Sequence, residues 1–141
     1  MKKQEKRQGK YTLGLTWGCW DLFHAGHLYF LKAAKEQCET LYVGVSNNEY
    51  SFKHKGKSPV IPFPQRFLIM GSLKDVDRIF IQSIEQGKKE AVEFYKPDVL
   101  FVGDDWNEKT YKGMNLGVPV VFLEYTPGVS TTKIIERIKN E

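Results

Sequence analysis

Apolar residues along the chain follow two alternating patterns, short runs and longer amphipathic repeats. Runs rich in β-branched and aromatic residues predict strands at 11–17, 40–46, 78–82, 99–102 and 118–124. Between these runs, apolar residues recur at helical spacing in AGHLYFLKAAKEQ, PFPQRFLIMGSL, KKEAVEFY and STTKIIERIKN. Such alternation is typical of a parallel sheet with helices on both faces. We therefore predict an α/β fold with a five-stranded parallel sheet.

The least regular segment is 47–62, which is rich in Lys, Ser and Pro and which we predict to be a loop. Connections longer than about 12 residues are usually functional or disordered. Lys53, Lys55 and Lys57 lie in this segment. The three lysines are equally compatible with a solvated surface and with a mobile cationic loop that closes over a polyphosphate.

Length and composition indicate one domain. At 141 residues, with 41% apolar residues, the chain has enough material for one core. Since no apolar run approaches about 18 residues and the first ten residues lack the apolar stretch of a signal peptide, we expect a cytoplasmic protein with no membrane partner. Cys19 and Cys38 form no CxxC pattern, so neither a disulfide framework nor a structural zinc site is predicted.

The formal net charge of +4 resides at the amino terminus. Residues 1–10 contain five basic residues and one glutamate, which accounts for the whole excess. We interpret 1–10 as a basic flexible tail and 11–141 as the folded domain. A basic tail is also compatible with nucleic acid, but the sequence lacks the usual stripe of aromatic and arginine residues, so we expect no nucleic-acid partner.

Chemistry-bearing residues follow four of the five predicted strands, at the carboxyl ends where open α/β sheets bind ligands. After the first strand come GCWD and then HAGH, which contains His24, Gly26 and His27. The lysines of 47–62 follow the second strand, GDDW follows the fourth, and GVSTT follows the fifth. The sequence therefore predicts one ligand site along this edge.

His24 and His27 flank the start of a predicted helix, and Gly26 between them leaves space for an anion to approach the backbone. A helix amino terminus favours negative charge, and two imidazole donors would stabilise a phosphate whose charge rises during reaction. The alternative is a pair of histidines that only cap the helix or lie satisfied in the core. A zinc site is disfavoured because no third ligand residue lies at a sequence spacing typical of zinc sites.

Ser130, Thr131 and Thr132 open the last predicted helix after Gly128. Alone they are typical of an N-cap. Because the His24–His27 site lies on the same edge of the sheet, they also suggest a second phosphate-binding site. No GxGxxG and no GxxxxGK[ST] occurs, so neither a dinucleotide-binding dehydrogenase nor a P-loop NTPase is supported.

Taken together, these motifs resemble the cytidylyltransferase family, in particular the bacterial glycerol-3-phosphate cytidylyltransferases. The family pattern GTFDxxHxGH appears as GCWDLFHAGH, GDDW stands at 103–106, and RTEGISTT appears as YTPGVSTT at 125–132. The resemblance implies a single Rossmann-like nucleotidyltransferase domain. It would transfer CMP from CTP to a phosphorylated small alcohol such as glycerol-3-phosphate, releasing pyrophosphate, as a homodimer with nucleotide-bound Mg²⁺.

The resemblance also implies roles for individual residues. It makes His24, His27 and Lys55 catalytic, and it places Lys55, Lys88 and Arg66 at the acceptor, with Arg66 either touching ligand or only bracing the loop. No residue is assigned as a metal ligand. The implied nucleotide-binding residues are Gly18, Cys19, Trp20, Asp21, Gly26, Lys57, Asp104, Asp105, Trp106, Tyr125, Thr126, Gly128, Ser130, Thr131 and Thr132.

Three residues depart from the family pattern. Cys19 replaces a hydroxyl residue, Tyr125 replaces an arginine and Pro127 replaces a glutamate. The arginine would be a bidentate phosphate clamp, so its loss changes the contacts to the triphosphate. The text KGKSPVIPFPQR resembles instead the adenylyltransferase domain of bacterial heptose-phosphate enzymes, which use ATP. GDDW favours CTP; the alternatives are an ATP-dependent enzyme acting on a heptose-type phosphate and a nucleotide-binding module with weak catalysis.

Overall fold

A computed structural model describes residues 11–103 and 115–141. The basic tail expected at 1–10 lies outside these residues, as do Asp104, Asp105 and Trp106 of GDDW. Within the described residues, no helix is long and apolar enough to cross a membrane.

Five parallel strands form the central sheet, and they confirm the α/β prediction. They are β1 Tyr11–Gly18, β2 Cys38–Ser46, β3 Arg78–Gln82, β4 Val99–Gly103 and β5 Val120–Leu123. The strand order is β3-β2-β1-β4-β5, with every neighbouring pair parallel. The order reverses at β1, so a crevice opens beyond the carboxyl ends of β1 and β4, which is where open α/β sheets bind ligands.

Helices cover both faces of the sheet, as predicted. They are α1 Ala25–Lys35, α2 Asn48–Lys55, α3 Phe63–Gly71, α4 Lys88–Tyr95 and α5 Thr131–Lys139. On one face, buried residues of α1 and α3 pack against β2, as Leu31 and Met70 do with Val43. On the other face, Ala91 of α4 packs with Leu15 and Leu100. Each large side chain buried in this way stabilises the fold by roughly 1.5–3 kcal/mol.

Helix α2 was not predicted, so the interpretation of 47–62 as a loop throughout is wrong. This helix buries only Ser51 and therefore has no apolar stripe for periodicity to detect. Its two ends were visible in the sequence: the Asn47 side chain accepts a hydrogen bond from the Tyr50 N–H at 2.8 Å, and Gly56 ends the helix with a φ of 77°. Lys53 and Lys55 therefore lie on the last turn of α2, and Lys57 follows it.

Candidate active site

His24 and His27 form a reciprocal cap at the start of α1. The His24 Nδ1 accepts a hydrogen bond from the Gly26 N–H at 3.0 Å, and the His24 N–H donates to the His27 Nδ1 at 3.1 Å. Imidazoles thus take the places that hydroxyl and carboxylate side chains hold in a capping box. Because each Nδ1 is an acceptor, the neutral ring carries its proton on Nε2. Both histidines therefore cap α1, and this geometry leaves both Nε2–H groups available as donors.

Burial keeps the imidazole pair neutral. The two rings stack with their centroids 3.8 Å apart. Burial, followed by the charges of His24 and Lys55, lowers the pKa of His27 from 6.5 to about 4, and Asp21 opposes this shift. Burial also lowers the pKa of His24. Near neutral pH the site therefore presents two neutral N–H donors and no imidazolium.

The low pKa of His27 predicts a loss of stability in acid. The unfolded chain takes up a proton at His27 as the pH falls through about 6.5, whereas the folded protein resists until about pH 4. The stability is therefore fully present above pH 6.5 and declines by roughly 2–3 kcal/mol between these two values. Urea unfolding of the wild type and His27→Asn at several pH values measures this, and an identical decline in both proteins would contradict the assignment to His27.

The turn between β1 and α1 has an unusual backbone. Trp20 has a φ of 58° and Leu22 a φ of 51°, values that large side chains rarely adopt. Trp20 is buried, its indole Nε1–H donates to the Gly44 carbonyl at 3.0 Å, and its ring packs edge-on against His27. A Cβ on Gly18 would approach the Trp20 ring to 2.8 Å. Gly18 and Trp20 are expected to line the nucleotide; in the structure, Gly18 makes room for the Trp20 ring, and this buried ring supports the turn.

Asp21 lies between Trp20 and Leu22, and both of its carboxylate oxygens accept hydrogen bonds. Oδ2 accepts from the Val60 N–H at 2.7 Å and Oδ1 from the Ile61 N–H at 2.8 Å. The Asp21 carbonyl accepts from the Thr131 hydroxyl at 2.9 Å. The turn that leads to α1 is therefore tied both to the connection after α2 and to the start of α5.

Arg66 is almost fully buried in α3 and connects four segments of the chain. Its guanidinium donates to the carbonyls of Ile61, Cys19 and Ser46 and to Asn48 Oδ1, all at 2.7–2.8 Å. Of the two roles that the sequence left open, these contacts support bracing. The expectation that Arg66 touches the acceptor is not supported, because its guanidinium already donates hydrogen bonds to protein groups at and after the carboxyl ends of β1 and β2.

Of the three lysines assigned to the site, Lys55 alone is shown to act on the imidazole pair. Lys55 is exposed at the end of α2 and lies close enough to His27 to lower its pKa. Lys57 is exposed beyond Gly56. The Lys88 ammonium lies 5.5 Å above the Trp17 ring at the start of α4. The structure therefore brings Lys55 to His27 and places Lys88 over the end of β1, on the other face of the sheet.

The amino terminus of α5 meets that of α1. Ser130 is the N-cap residue and accepts from the Lys133 N–H at 3.1 Å, which confirms its capping role. A Cβ on Gly26 would lie 3.4 Å from Val129, so the two helix starts are neighbours. Gly128 has a φ of 80°, a conformation that favours glycine. Two helix amino termini, each favourable for an anion, thus face one crevice.

Tyr125, which stands where the family has an arginine, lies across the end of β4. Its ring packs near Phe30 and against Gly103, where no Cβ would fit. Tyr125 is 48% exposed, and Thr126 follows it on the way to α5. An aromatic surface rather than a guanidinium therefore borders the crevice beside the first residue of GDDW.

Two side chains that are candidates for ligand binding were not predicted from the sequence. Trp17 Nε1 and Gln82 Nε2 are buried donors that have no hydrogen-bond partner within residues 11–103 and 115–141. Trp17 lies opposite Gly44 of β2, which in turn lies opposite Phe80 of β3. Gln82 comes two positions after Phe80, so it lies on the same face of the sheet as Trp17 and Phe80. A buried donor without a partner costs about 1–3 kcal/mol. The only signal in the sequence was their position at strand ends.

Fold and site together define a Rossmann-like nucleotidyltransferase domain, with a parallel sheet whose switch point holds two neutral imidazoles between two helix amino termini. The chain belongs to the cytidylyltransferase-like family, whose model matches residues 15–137.

Two curated relatives share the name bifunctional protein HldE. The protein from Campylobacter jejuni (strain RM1221) is 35% identical over 96% of this chain, and that from a Nitratiruptor species is 33% identical over 99%. The chain spans 29% and 30% of their lengths. A crystal structure of the lipopolysaccharide core biosynthesis protein from Thermoplasma volcanium superposes with a TM-score of 0.68 at 27% identity, covering 82% of this chain and 97% of that one.

Proposed function

We propose that this chain transfers AMP from ATP to a phosphorylated sugar of heptose type, releasing pyrophosphate. The observation that carries nucleotidyl transfer is the pair of Nε2–H donors between the amino termini of α1 and α5. The comparisons favour the ATP-dependent alternative over CTP and glycerol-3-phosphate. The text KGKSPVIPFPQR points in the same direction, and Tyr125 in place of the family arginine departs from the cytidylyltransferase pattern. The preference for CTP, which rested on GDDW, is therefore given up.

In the proposed reaction, an oxygen of the acceptor phosphate attacks the α-phosphorus of the nucleotide in line with the departing pyrophosphate. A new P–O bond forms to the acceptor, and the bond between the α-phosphorus and the bridging oxygen of pyrophosphate breaks. An ionised phosphate needs no general base. Catalysis of this kind rests on positioning and on stabilising charge as it moves to the leaving group.

The protein supplies that stabilisation from three sources. The Nε2–H groups of His24 and His27 donate to oxygens whose charge rises, and they do so as neutral groups in a partly buried site. Lys55 adds a positive charge beside His27. The free N–H groups at the start of α5, together with the hydroxyls of Ser130 and Thr132, would hold the outer phosphates, while the Thr131 hydroxyl donates to the Asp21 carbonyl.

Mg²⁺ would neutralise charge on the departing pyrophosphate. In the described part of the chain, no three His, Cys, Asp or Glu side chains lie together as a metal site would require. We therefore assign the ion to nucleotide phosphates and water, as is usual for Mg²⁺. The homodimer implied by the family stays a prediction.

The acceptor is proposed to lie beside Lys88, on the α4 side of the sheet. The buried N–H groups of Trp17 and Gln82 face the same side of the sheet as α4, and each lacks a partner among the described residues. Both nitrogens are shielded from solvent in this conformation, so the hydroxyl groups of a sugar would accept from them after a neighbouring side chain moves aside. An acceptor rich in hydroxyl groups therefore fits this side of the crevice better than an apolar one.

Substrate choice is tested by measuring pyrophosphate release with the four nucleoside triphosphates against a panel of sugar phosphates, heptose phosphates included, and glycerol-3-phosphate. We expect ATP with a heptose phosphate to give the highest kcat/KM, by about tenfold or more over CTP with glycerol-3-phosphate, about 1.4 kcal/mol. The reverse order would restore the cytidylyl alternative. Nucleotide binding without release for any pair would indicate a module with weak catalysis.

A further inference from the structure

The connection between α2 and α3, residues 57–62, is held from two sides by opposite charges, and we call it the strap. The Ile61 N–H donates to the Asp21 carboxylate at 2.8 Å, and the Ile61 carbonyl accepts from Arg66 Nε at 2.8 Å. The neighbouring Val60 N–H donates to the second Asp21 oxygen at 2.7 Å. Hydrogen bonds to charged groups are about twice as strong as neutral ones.

The strap fixes the helix that carries Lys55. Apart from Ser51, whose hydroxyl contacts that of Ser46 at 2.9 Å, every residue of α2 is at least partly exposed. A helix with so few buried groups is positioned largely by its ends. The amino-terminal end contacts Arg66 through Asn48, and the carboxyl-terminal end runs through Gly56 into the strap.

The backbone around Asp21 is restrained in a conformation in which its carboxylate accepts hydrogen bonds from the strap. Trp20 and Leu22, on either side of it, have positive φ, a strained conformation that costs about 1–3 kcal/mol and persists only where the surroundings impose it. The indole of Trp20 and the hydroxyl of Thr131 provide such restraints. The same turn reaches His24 three residues later. One segment therefore carries both the grip on the strap and the imidazole pair.

The contacts of Asp21 do not favour the direct role at the nucleotide that the family resemblance implies. It is 8% exposed, both carboxylate oxygens are engaged by the strap, and its negative charge would repel a phosphate. We propose that Asp21 is a positioning residue, which latches the strap to the β1–α1 turn and so holds Lys55 in place beside His27. This inference rests on the proposed nucleotidyl transfer.

The test uses Asp21→Asn, in which the amide keeps the shape of the side chain but offers an N–H to one of the two strap N–H groups. We expect amide hydrogen exchange at Val60 and Ile61 to accelerate by about 10–100-fold, because their charged acceptor is lost. We also expect kcat to fall about tenfold or more, while KM for the nucleotide changes less than about threefold, because Lys55 acts on the transferring group.

Asp98→Asn is the matched control. The Asp98 carboxylate also accepts a backbone hydrogen bond, from the Leu13 N–H at 2.8 Å, but it does so beside the amino-terminal end of β4. It should lose stability without changing kcat or the exchange at Val60 and Ile61. If Asp21→Asn does not fold, Asp21→Glu keeps both oxygens on a longer arm and should give a folded protein with intermediate exchange and a reduced kcat.

The outcomes separate the two proposals. Faster strap exchange with a reduced kcat in the Asp21 variant, and neither in Asp98→Asn, supports the latch. Unchanged exchange, or faster exchange with full kcat, overturns the positioning role and leaves nucleotidyl transfer standing. A fall in kcat of equal size in Asp98→Asn also overturns it, because general destabilisation then explains the loss. A wild-type protein inactive with every nucleotide overturns the proposed function, and the positioning role with it.

Discussion

Replacing either His24 or His27 by asparagine should lower kcat by about 10²–10³ while the protein remains folded. The reason lies in the two nitrogens of each ring, which do different work. Nδ1 caps α1 by accepting a backbone hydrogen bond, whereas in the proposed reaction Nε2–H stabilises charge on the nucleotide. Asparagine places an oxygen near the position of Nδ1 and nothing at the position of Nε2.

Glutamine is the complementary replacement, because its amide nitrogen reaches the position of Nε2 but its side chain has no acceptor near Nδ1. His24→Gln should lose the cap, at a cost of about 0.5–2 kcal/mol in the free energy of unfolding, yet retain more activity than His24→Asn. Asparagine is itself a preferred N-cap residue, so His24→Asn should melt close to the wild type. Thermal unfolding and steady-state pyrophosphate release on the same samples measure both effects.

Near-normal turnover in both asparagine variants would contradict the proposed mechanism. A large loss of stability in His24→Asn would contradict the capping geometry instead. The two measurements thus report separately on the two nitrogens. A pair of histidines that only capped the helix would show the stability pattern and no kinetic effect.

The motif predicted where the histidines lie but not which nitrogen does what. His24-Ala25-Gly26-His27 is readable in the sequence as an anion site at a helix start. The assignment of Nδ1 to the backbone depends on the positions of two N–H groups, and these follow from the path of the turn. That path includes positive φ at Trp20 and Leu22, which no propensity of tryptophan or leucine suggests.

The strands and four of the helices were predictable because each carries apolar residues at its own spacing, most of them at least partly buried. Helix α1 places Phe30, Leu31 and Ala34 in the core, so its periodicity is strong. Helix α2 buries one serine, and only its caps, Asn47 and Gly56, were visible in advance. Periodicity detects a buried apolar face, and a helix whose residues are mostly exposed gives no such signal.

Charged residues illustrate a second limit of sequence reasoning. Arg66 and Lys55 both read as cations in or near a lysine-rich segment, yet Arg66 is 1% exposed and Lys55 lies at the surface. What separates them is the set of carbonyls that converge on Arg66 from β1, β2 and the strap. This convergence exists only once the sheet has formed, so a substrate contact and a brace look alike in the sequence.

Arg66→Met should destabilise the protein by about 3–5 kcal/mol, a large part of the 5–15 kcal/mol typical of a domain. Methionine fills a similar volume, but the carbonyls of Ile61, Cys19 and Ser46 lose their donor. Each buried carbonyl left without a partner costs about 1–3 kcal/mol, and relief from burying a charge offsets part of the sum. Urea unfolding followed by circular dichroism measures the change.

Arg78→Met is the control, because Arg78 is exposed and its guanidinium lies 5.5 Å from the Tyr42 ring. Its loss should cost about 0.5–1 kcal/mol. Arg66→Lys keeps the charge but a single ammonium does not span four acceptors, so an intermediate loss of about 1–3 kcal/mol is expected. Because Arg66 acts as a brace, KM for the acceptor should stay within about threefold of the wild type in this variant. A KM raised tenfold with unchanged stability would show instead that Arg66 binds the acceptor.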